Sequence, residues 1–354
     1  MKKRLKKLIR RKKREILPDP SLDQLAEGVP RITNETVAEH REEVLGSARK
    51  YIYPLQHSKH RIVIITTSIV VIFVIAFFSY CTLALYRFKS SSGFLYAVTR
   101  VVPFPVARAG TGFVAYEDYL FELRHYTHYY ETQQKVDFKS ESGKQQLADY
   151  QKRALENVIN NAYVKQLASK NKVSVSNQEV ENTLNTLREQ NRLGASDKGF
   201  EDVLKDNFGW SLADFKRALK QQLLAQKVVS TLDTDARARA EAAMAELKSG
   251  ADFAAVAKKY SDDTATKDNG GDMGPPIDKS NRDLAPQTSV AIFSLPAGQI
   301  SDIVNTGYGL EIVKVLDVQG EKVHAAHITF NFRDISTYIN ELKEKKKPHA
   351  YIKI

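Results

Sequence analysis

The hydrophobic positions of this chain change period along its length. From Ile62 to Tyr86 they form one unbroken run, IVIITTSIVVIFVIAFFSYCTLALY, without a charged residue. At ~1.5 Å per residue a helix of this length crosses a ~30 Å hydrocarbon layer with some tilt. Ile, Val and Phe are poor helix formers in water, but lipid leaves the backbone only itself as a hydrogen-bonding partner. A cleaved signal has a short leader and an apolar stretch of about 7–15 residues. Here a long polar segment precedes a longer run, so the pattern predicts an uncleaved transmembrane helix over 62–86.

From Tyr116 to about Leu232 the apolar residues recur at helical spacing. Leu147, Tyr150, Ala154, Val158 and Tyr163 fit one helix face. Ser176-Asn-Gln-Glu179 is a capping box opening a helix that turns Val180, Leu184 and Leu187 inward. Phe200, Val203, Leu204 and Phe208 predict a short helix stopped by Gly209, and Ser211-Leu-Ala-Asp214 opens another. Beyond Thr234 the period mixes. An Ala-rich helix ends at Gly250, Asp252 starts a second that runs to Tyr260, and the turn-rich loop SDDTATKDNGGDMGPP follows. Glu311-Ile-Val-Lys-Val alternates as a strand, and the remainder reads strand (VHAAHITF), helix (Ile335 to Lys345), strand (AYIKI). The fold class is α+β. Pro103 and Pro105 hold extended backbone before the helical part, so 87–111 reads as linker. A juxtamembrane amphipathic helix is predicted through Val37, Val44, Leu45 and Ala48.

Charge fixes an orientation. The 354-residue chain carries a net +11, and residues 1–61 hold 16 Lys/Arg against 8 Asp/Glu, most of that excess. Ten of the basic residues fall in the first 14. The positive-inside rule then places 1–61 as a cytoplasmic tail and the C-terminal bulk outside. The basic run suits anionic lipid head groups. The folded part is near neutral, which argues against nucleic acid as its partner. Cys81 is the single cysteine, so no intrachain disulfide forms. Phe78-Ser79-Tyr80 before it is too bulky for a lipoprotein cleavage box.

Few catalytic patterns appear. There is no phosphate loop, nucleophile elbow or metalloprotease helix motif. His125 and His128 read as solvated surface histidines rather than ligands. His324 and His327 fall on opposite faces of one strand and do not share a metal. No metal and no cofactor is expected. Asp262 and Asp263 are either acid/base partners or the polar end of a helix.

The stretch from about Ala236 to Val318 resembles the parvulin-type peptidyl-prolyl isomerases. The resemblance is carried by DFAAVAKKYSDDTATKDNGGDMG and LAPQTSVAIFSLPAGQISDIVNTGYGLEIVKV. The helical part, about Gly112 to Leu232, looks like the N-terminal chaperone domain of SurA- and PrsA-type foldases. The resemblance implies a small antiparallel sheet wrapped by helices, joined to a helical peptide-binding domain. It also implies rotation about X–Pro bonds as the activity. Asp263 stands at the family's central Cys/Asp position, Thr306 at its threonine, and Met273, Leu284 and Phe293 at its apolar proline-pocket positions. Three positions depart: Leu284 replaces a methionine, Thr288 a phenylalanine, and Glu311 the second histidine.

The family's first strand, with its histidine, is missing before Ala236. A matching piece, His324-Ala-Ala-His327-Ile-Thr-Phe, stands near the other end. One expectation is a permuted fold in which this strand completes the sheet and brings His327 beside Asp263. The alternative is that 322–354 begins a degenerate second repeat. The expected organisation is 1–61 basic tail, 62–86 transmembrane helix, 87–111 linker, 112–233 chaperone domain, 234–320 parvulin-like domain and 321–354 sheet-completing strand-helix-strand. The expected function is a membrane-anchored extracytoplasmic foldase for unfolded, proline-containing exported polypeptides. Its catalytic set would be Asp263, His327 and Thr306. An inactive parvulin-like holdase or a surface scaffold is the rival reading.

Overall fold

A computed structural model describes residues 32–354 apart from 53, 54, 191 and 195. The basic run of the first 14 residues and most of the proline-containing segment after it lie outside the described residues. The chain divides into two compact units, Met1–Phe78 and Ser79–Ile354.

The first unit contains α1 (Asn34–Ile52) and most of α2 (Leu55–Thr82). Glu35 in the first turn of α1 and Arg49 and Lys50 in its last complement the helix dipole. On α2 the apolar side chains from Ile62 to Ile75 are exposed. Among the described residues this is the one helix long and apolar enough to cross a membrane.

The second unit takes in the end of α2. Cys81, Ala84 and Leu85 are buried, the last two in a wide helical turn (Leu83–Arg87). Tyr116 donates its hydroxyl to the Leu85 carbonyl at 2.6 Å, and Tyr86 donates to the Pro105 carbonyl at 2.6 Å. Residues 87–111, expected as a linker, are instead folded. They form α3 (Gly93–Val101), N-capped by Ser92, and β1 (Pro105–Ala109). β1 turns through Gly110, whose φ of 55° favours glycine, into β2 (Gly112–Ala115).

Helices α4 (Tyr116–Thr132), α5 (Glu141–Lys170), α6 (Asn177–Glu189), α7 (Asp197–Val203) and α8 (Leu212–Leu232) follow. The predicted capping box forms at Ser176/Glu179, and the helix start at Ser211 carries a second, Ser211/Asp214. Arg217 on α8 grips Glu117 with both nitrogens, at 2.6 and 2.8 Å, and reaches Asp118, tying α8 to α4.

Next come α9 (Thr234–Lys248), α10 (Phe253–Tyr260), α11 (Pro286–Ser294), β3 (Val304–Asn305), β4 (Gly309–Gln319), β5 (Lys322–Asn331), α12 (Ile335–Lys345) and β6 (His349–Ala350). β3, β4 and β5 form an antiparallel sheet in that order. Asp272 and Ile277 bridge to Ala326 and Val323 on the far edge of β5, so β5 is an interior strand. The sheet has two apolar faces. Leu310, Ile312, Ala326, Ile328 and Phe330 pack against α9 and α10. Val313, Val315, Val323 and Ala325 face Ile277 and Ile292, with Met273, Leu284 and Phe293 packed on them.

The last strand corrects one expectation. The segment AYIKI does not join this sheet. β6 covers only His349–Ala350 and pairs with β1, giving a separate sheet ordered β2–β1–β6. The segment 321–354 is thus shared between the two sheets, because α12 carries the chain back to the N-terminal hairpin.

Candidate active site

β5 delivers the histidine. His327 pairs across the sheet with Val313, so both side chains belong to the face that gathers Met273, Leu284 and Phe293. Its Nε2 lies 2.9 Å from Oδ2 of Asp263, which stands in the loop after α10. The Asp263 carboxylate also accepts from the Thr266 hydroxyl and, at 3.0 Å, from the Ala265 amide. Its pKa is held below the usual carboxylate range, first by the Thr266 hydroxyl and then by the His327 ring, against burial that pushes the other way. An ionised Asp263 accepts only, so Nε2 of His327 carries the proton between them. That leaves Nδ1 as the ring's lone-pair nitrogen when the ring is neutral, and it is buried without a hydrogen-bond partner.

The glycine pair before Asp272 has a steric cause. The His327 amide donates to the Gly271 carbonyl at 2.8 Å, and Gly271 has φ 79°. A Cβ on Gly271 would sit 2.2 Å from the His327 carbonyl oxygen. Only glycine lets the loop pass this close to the strand that carries the histidine.

The neighbouring aspartates have different partners. Asp262 accepts two bonds from Arg239, at 2.7 and 2.8 Å, and one from the Asn331 amide. It ties α9 to the end of β5, so Asp262 and Asp263 are not an acid/base couple. His324 pairs with Asp272 at 2.8 Å. Sequence reading missed this second His–Asp pair, because Asp272 looked like part of the turn motif alone.

A cleft of about 420 Å3 is lined by Leu284, Pro286, Thr306, Tyr308, Glu311 and Thr329, with Arg192 at its wall. It gathers Leu284 and Thr306 of the expected set. Met273 and Phe293 pack on the sheet face with Leu284. Thr306 is buried and donates its hydroxyl to the Gly309 carbonyl at 3.1 Å, holding the turn between β3 and β4. Two of the three departing residues meet: the Thr288 hydroxyl donates to Glu311 Oε2 at 2.6 Å. Arg192 donates to the carbonyls of Asn281, Arg282 and Leu284, and Gln190 to that of Pro286. These bonds tether the pocket loop to the helical part. No periodicity in the sequence pointed to them.

His125 and His128 are half-buried and engaged rather than free at the surface. His125 stacks on Trp210 with ring centroids 4.4 Å apart, and His128 bonds the Asp206 carbonyl at 3.0 Å. Among the described residues no group of three or more His, Cys, Asp or Glu side chains could hold a metal ion.

Comparison with known proteins gives two adjoining family matches. Residues 55–229 match the SurA-like N-terminal domain, and residues 223–317 match the PPIC-type PPIase domain. The second match ends before β5, which supplies His327. The foldase protein PrsA of Caldanaerobacter subterraneus subsp. tengcongensis is 31% identical over 186 residues, 49% of this chain and 58% of the relative. The chain therefore spans little more than half of that relative's length. The foldase protein PrsA of Clostridium botulinum (strain Okra / Type B1) is 27% identical over 254 residues, 61% of this chain and 73% of the relative. Among solved structures, PrsA from Bacillus anthracis matches at 23% identity, covering 54% of this chain and 88% of that one, with a TM-score of 0.17. The chain joins a SurA-like N-terminal domain to a PPIC-type peptidyl-prolyl isomerase domain.

Proposed function

We propose that this chain is a membrane-anchored extracytoplasmic foldase that accelerates rotation about X–Pro bonds in exported, unfolded polypeptides. The observation that carries the reading is the Asp263–His327 pair, 2.9 Å apart, on the sheet face that gathers Met273, Leu284 and Phe293. The barrier to be lowered, ~18–20 kcal/mol, comes from amide resonance. An apolar pocket favours the twisted peptide, whose charge separation is smaller than that of the planar form. This is preferential binding of the transition state without covalent chemistry. Met273, Leu284 and Phe293 supply the apolar wall. Asp263 fixes the tautomer and orientation of His327, and Thr306 holds the β3–β4 turn that borders the cleft. The family matches and the relatives named foldase support the same activity.

In this reading 1–61 is a cytoplasmic tail, 62–86 the transmembrane helix, 112–233 the client-binding helical domain, 234–320 the isomerase domain, and 321–354 the segment that lends it β5. The apolar helix and the basic tail are the lipid contacts, and the near-neutral folded part is not a nucleic-acid binder. Protease added to intact cells should digest the C-terminal portion; full protection would refute the orientation.

A second reading, a holdase that keeps the fold without the rate, is favoured by one observation. Thr288 and Glu311 are bonded to each other where the family has an aromatic wall and a histidine. A protease-coupled isomerisation assay on a series of X–Pro peptides separates the two. The isomerase reading expects a rate above background that His327→Ala lowers. No rate above background, with suppressed aggregation of an unfolded client, would leave the holdase.

A further inference from the structure

Helix α3 has an apolar face that the described residues leave largely exposed. Leu95 and Thr99 are buried against the folded unit, 1% and 4% exposed. On the other side Phe94 and Val101 are 56% and 83% exposed, and Ala97 between them is exposed too. At 100° per residue, positions 94, 97 and 101 fall within an arc of about 60°, and half-buried Val98 borders it. An amphipathic helix in water turns such a stripe inward. This one turns a second apolar stripe outward.

The helix is fixed in that attitude. Ser92 caps its N-terminus. Tyr96 donates its hydroxyl to Glu117 at 3.2 Å, and the Arg124 guanidinium lies over the Tyr96 ring, 5.2 Å from its centroid. Arg124 also donates to the Ser91 carbonyl at 3.0 Å, pinning the approach to α3. Rotating α3 to hide Phe94 and Val101 would break these contacts and expose Leu95 and Thr99.

Chain continuity says what covers the face. Only residues 88–92 separate Arg87, the end of the apolar helix, from Gly93. The six residue steps from Arg87 to Gly93 span at most roughly 22 Å even when extended. α3 therefore starts within a bilayer leaflet's reach of the point where the apolar helix ends. The connecting Phe88 is 75% exposed. Arg87, Lys89 and Arg100 stand in and beside this segment, the arrangement of basic and apolar side chains that suits a helix lying in an anionic lipid interface.

We propose that the face of α3 formed by Phe94, Ala97 and Val101, with Phe88 before it, lies in the bilayer interface as a second contact between the folded unit and the membrane. The proposal rests on the reading of 62–86 as a transmembrane helix. Its consequence is orientational. A single helix leaves a folded domain free to spin about the helix axis, and a second contact removes that freedom.

The test uses the full chain in vesicles of phosphatidylethanolamine and phosphatidylglycerol. Cys81→Ala supplies a cysteine-free background. Single cysteines then carry a nitroxide at Phe94, Ala97 or Val101, at Ile72 on the apolar helix, or at exposed Glu321 in the β4–β5 turn. Collision with oxygen, which concentrates in lipid, is compared with collision with a water-soluble nickel chelate. The expected result is an oxygen-favoured ratio at 94, 97 and 101, between the value at 72 and that at 321. A water-like ratio at 94, 97 and 101 with a lipid-like one at 72 would overturn the proposal and leave the span intact. Low collision with both reagents at the α3 sites would mean a protein cover, such as a second copy, and would also overturn it. A water-like ratio at 72 would remove the span and this proposal together.

Discussion

Thr288 donates its hydroxyl to Oε2 of Glu311 at 2.6 Å, and Thr288 is 1% exposed. Each residue looks like damage when read alone against the isomerase family. Together they satisfy each other. A buried hydroxyl beside a carboxylate costs little when the two are bonded and much when either is stranded. Thr288→Val should therefore destabilise the unit by about 1–3 kcal/mol, by leaving Glu311 without its donor. Thr288→Val combined with Glu311→Leu should cost less than the two single changes added, since neighbours in contact do not act independently. Urea unfolding of the four proteins of the cycle measures this. Strict additivity would mean the bond contributes nothing.

The same pair predicts a gain. Thr288→Phe with Glu311→His rebuilds the aromatic wall and the ring that the family carries at these positions. An added aromatic contact is worth about 0.5–1.5 kcal/mol. If it is made mainly in the twisted state, kcat/KM on an X–Pro peptide should rise by up to about tenfold. An unchanged kcat/KM in a folded double variant would mean that Thr288 and Glu311 do not limit the rate.

In the proposed reading Asp263 acts through His327, to which it is bonded at 2.9 Å. Replacing it by Ala removes the acceptor that fixes the Nε2–H tautomer. Losing a hydrogen bond to a charged group costs about 1.5–3 kcal/mol, or roughly ten- to a hundredfold in kcat/KM. The Thr266 hydroxyl and the His327 ring hold the Asp263 carboxyl below its ordinary range. It is therefore ionised at any pH above about 5. The defect of Asp263→Ala should be constant above that pH, and the wild-type advantage should fade only in acid, as Asp263 protonates. An advantage that fades near neutrality would assign the effect to another group.

Much of this was legible in the chain because local rules decided it. The capping box at Ser176, the helix start at Ser211, the helix from Ile335 to Lys345 and the apolar run of α2 follow from spacing and end signals. The proximity of His327 to Asp263 was implied by the resemblance, whose first strand and histidine have their match at 324–330. The rest depended on tertiary partners that no local pattern encodes. Residues 87–111 looked like linker because Pro103, Pro105, Gly110 and Gly112 lie in or beside it, yet buried Leu95, Val106, Ala107 and Ala109 fold it. Asp262 and Asp263 are identical in sequence terms, and their partners separate their roles, Arg239 for Asp262 and His327 for Asp263. The bonds from Arg192 to the pocket loop join residues about 90 apart.

The C-terminal segment returns to β1. His349 and Ala350 pair with Arg108 and Ala107, and the Tyr351 amide donates to the Val106 carbonyl at 2.9 Å. Tyr163 donates to the Lys346 carbonyl at 2.7 Å, and Ile352 is 3% exposed. Ending the chain after Lys345 should cost about 2 kcal/mol for Ile352 alone, together with the ladder bonds of β1. The loss is expected to be local. Hydrogen exchange should quicken at β1 and β2 while β4 and β5 keep their protection. Equal loss in both sheets would mean that the two sheets unfold as one unit.

Glu179 offers a pH signature in the helical part, apart from the Asp263–His327 pair. It caps α6, accepting from the Ser176 amide at 2.8 Å, and it pairs with Lys227 on α8. Lys227 first, and the Ser176 amide after it, pull the Glu179 carboxyl down to about 2. A carboxyl whose pKa is lower folded than unfolded stabilises the fold above its unfolded value of about 4.3. That stability is lost as pH falls from there toward 2. Its side chain is 43% exposed, so solvent screens the pair and the effect is modest. Glu179→Gln should lower Tm at pH 6, and the difference from wild type should shrink between about pH 4.3 and 2. High salt should shrink the part owed to Lys227 and leave the capping part in place. A difference in Tm that is the same at pH 6 and pH 2 would mean that Glu179 stabilises the helix by packing rather than by its charge.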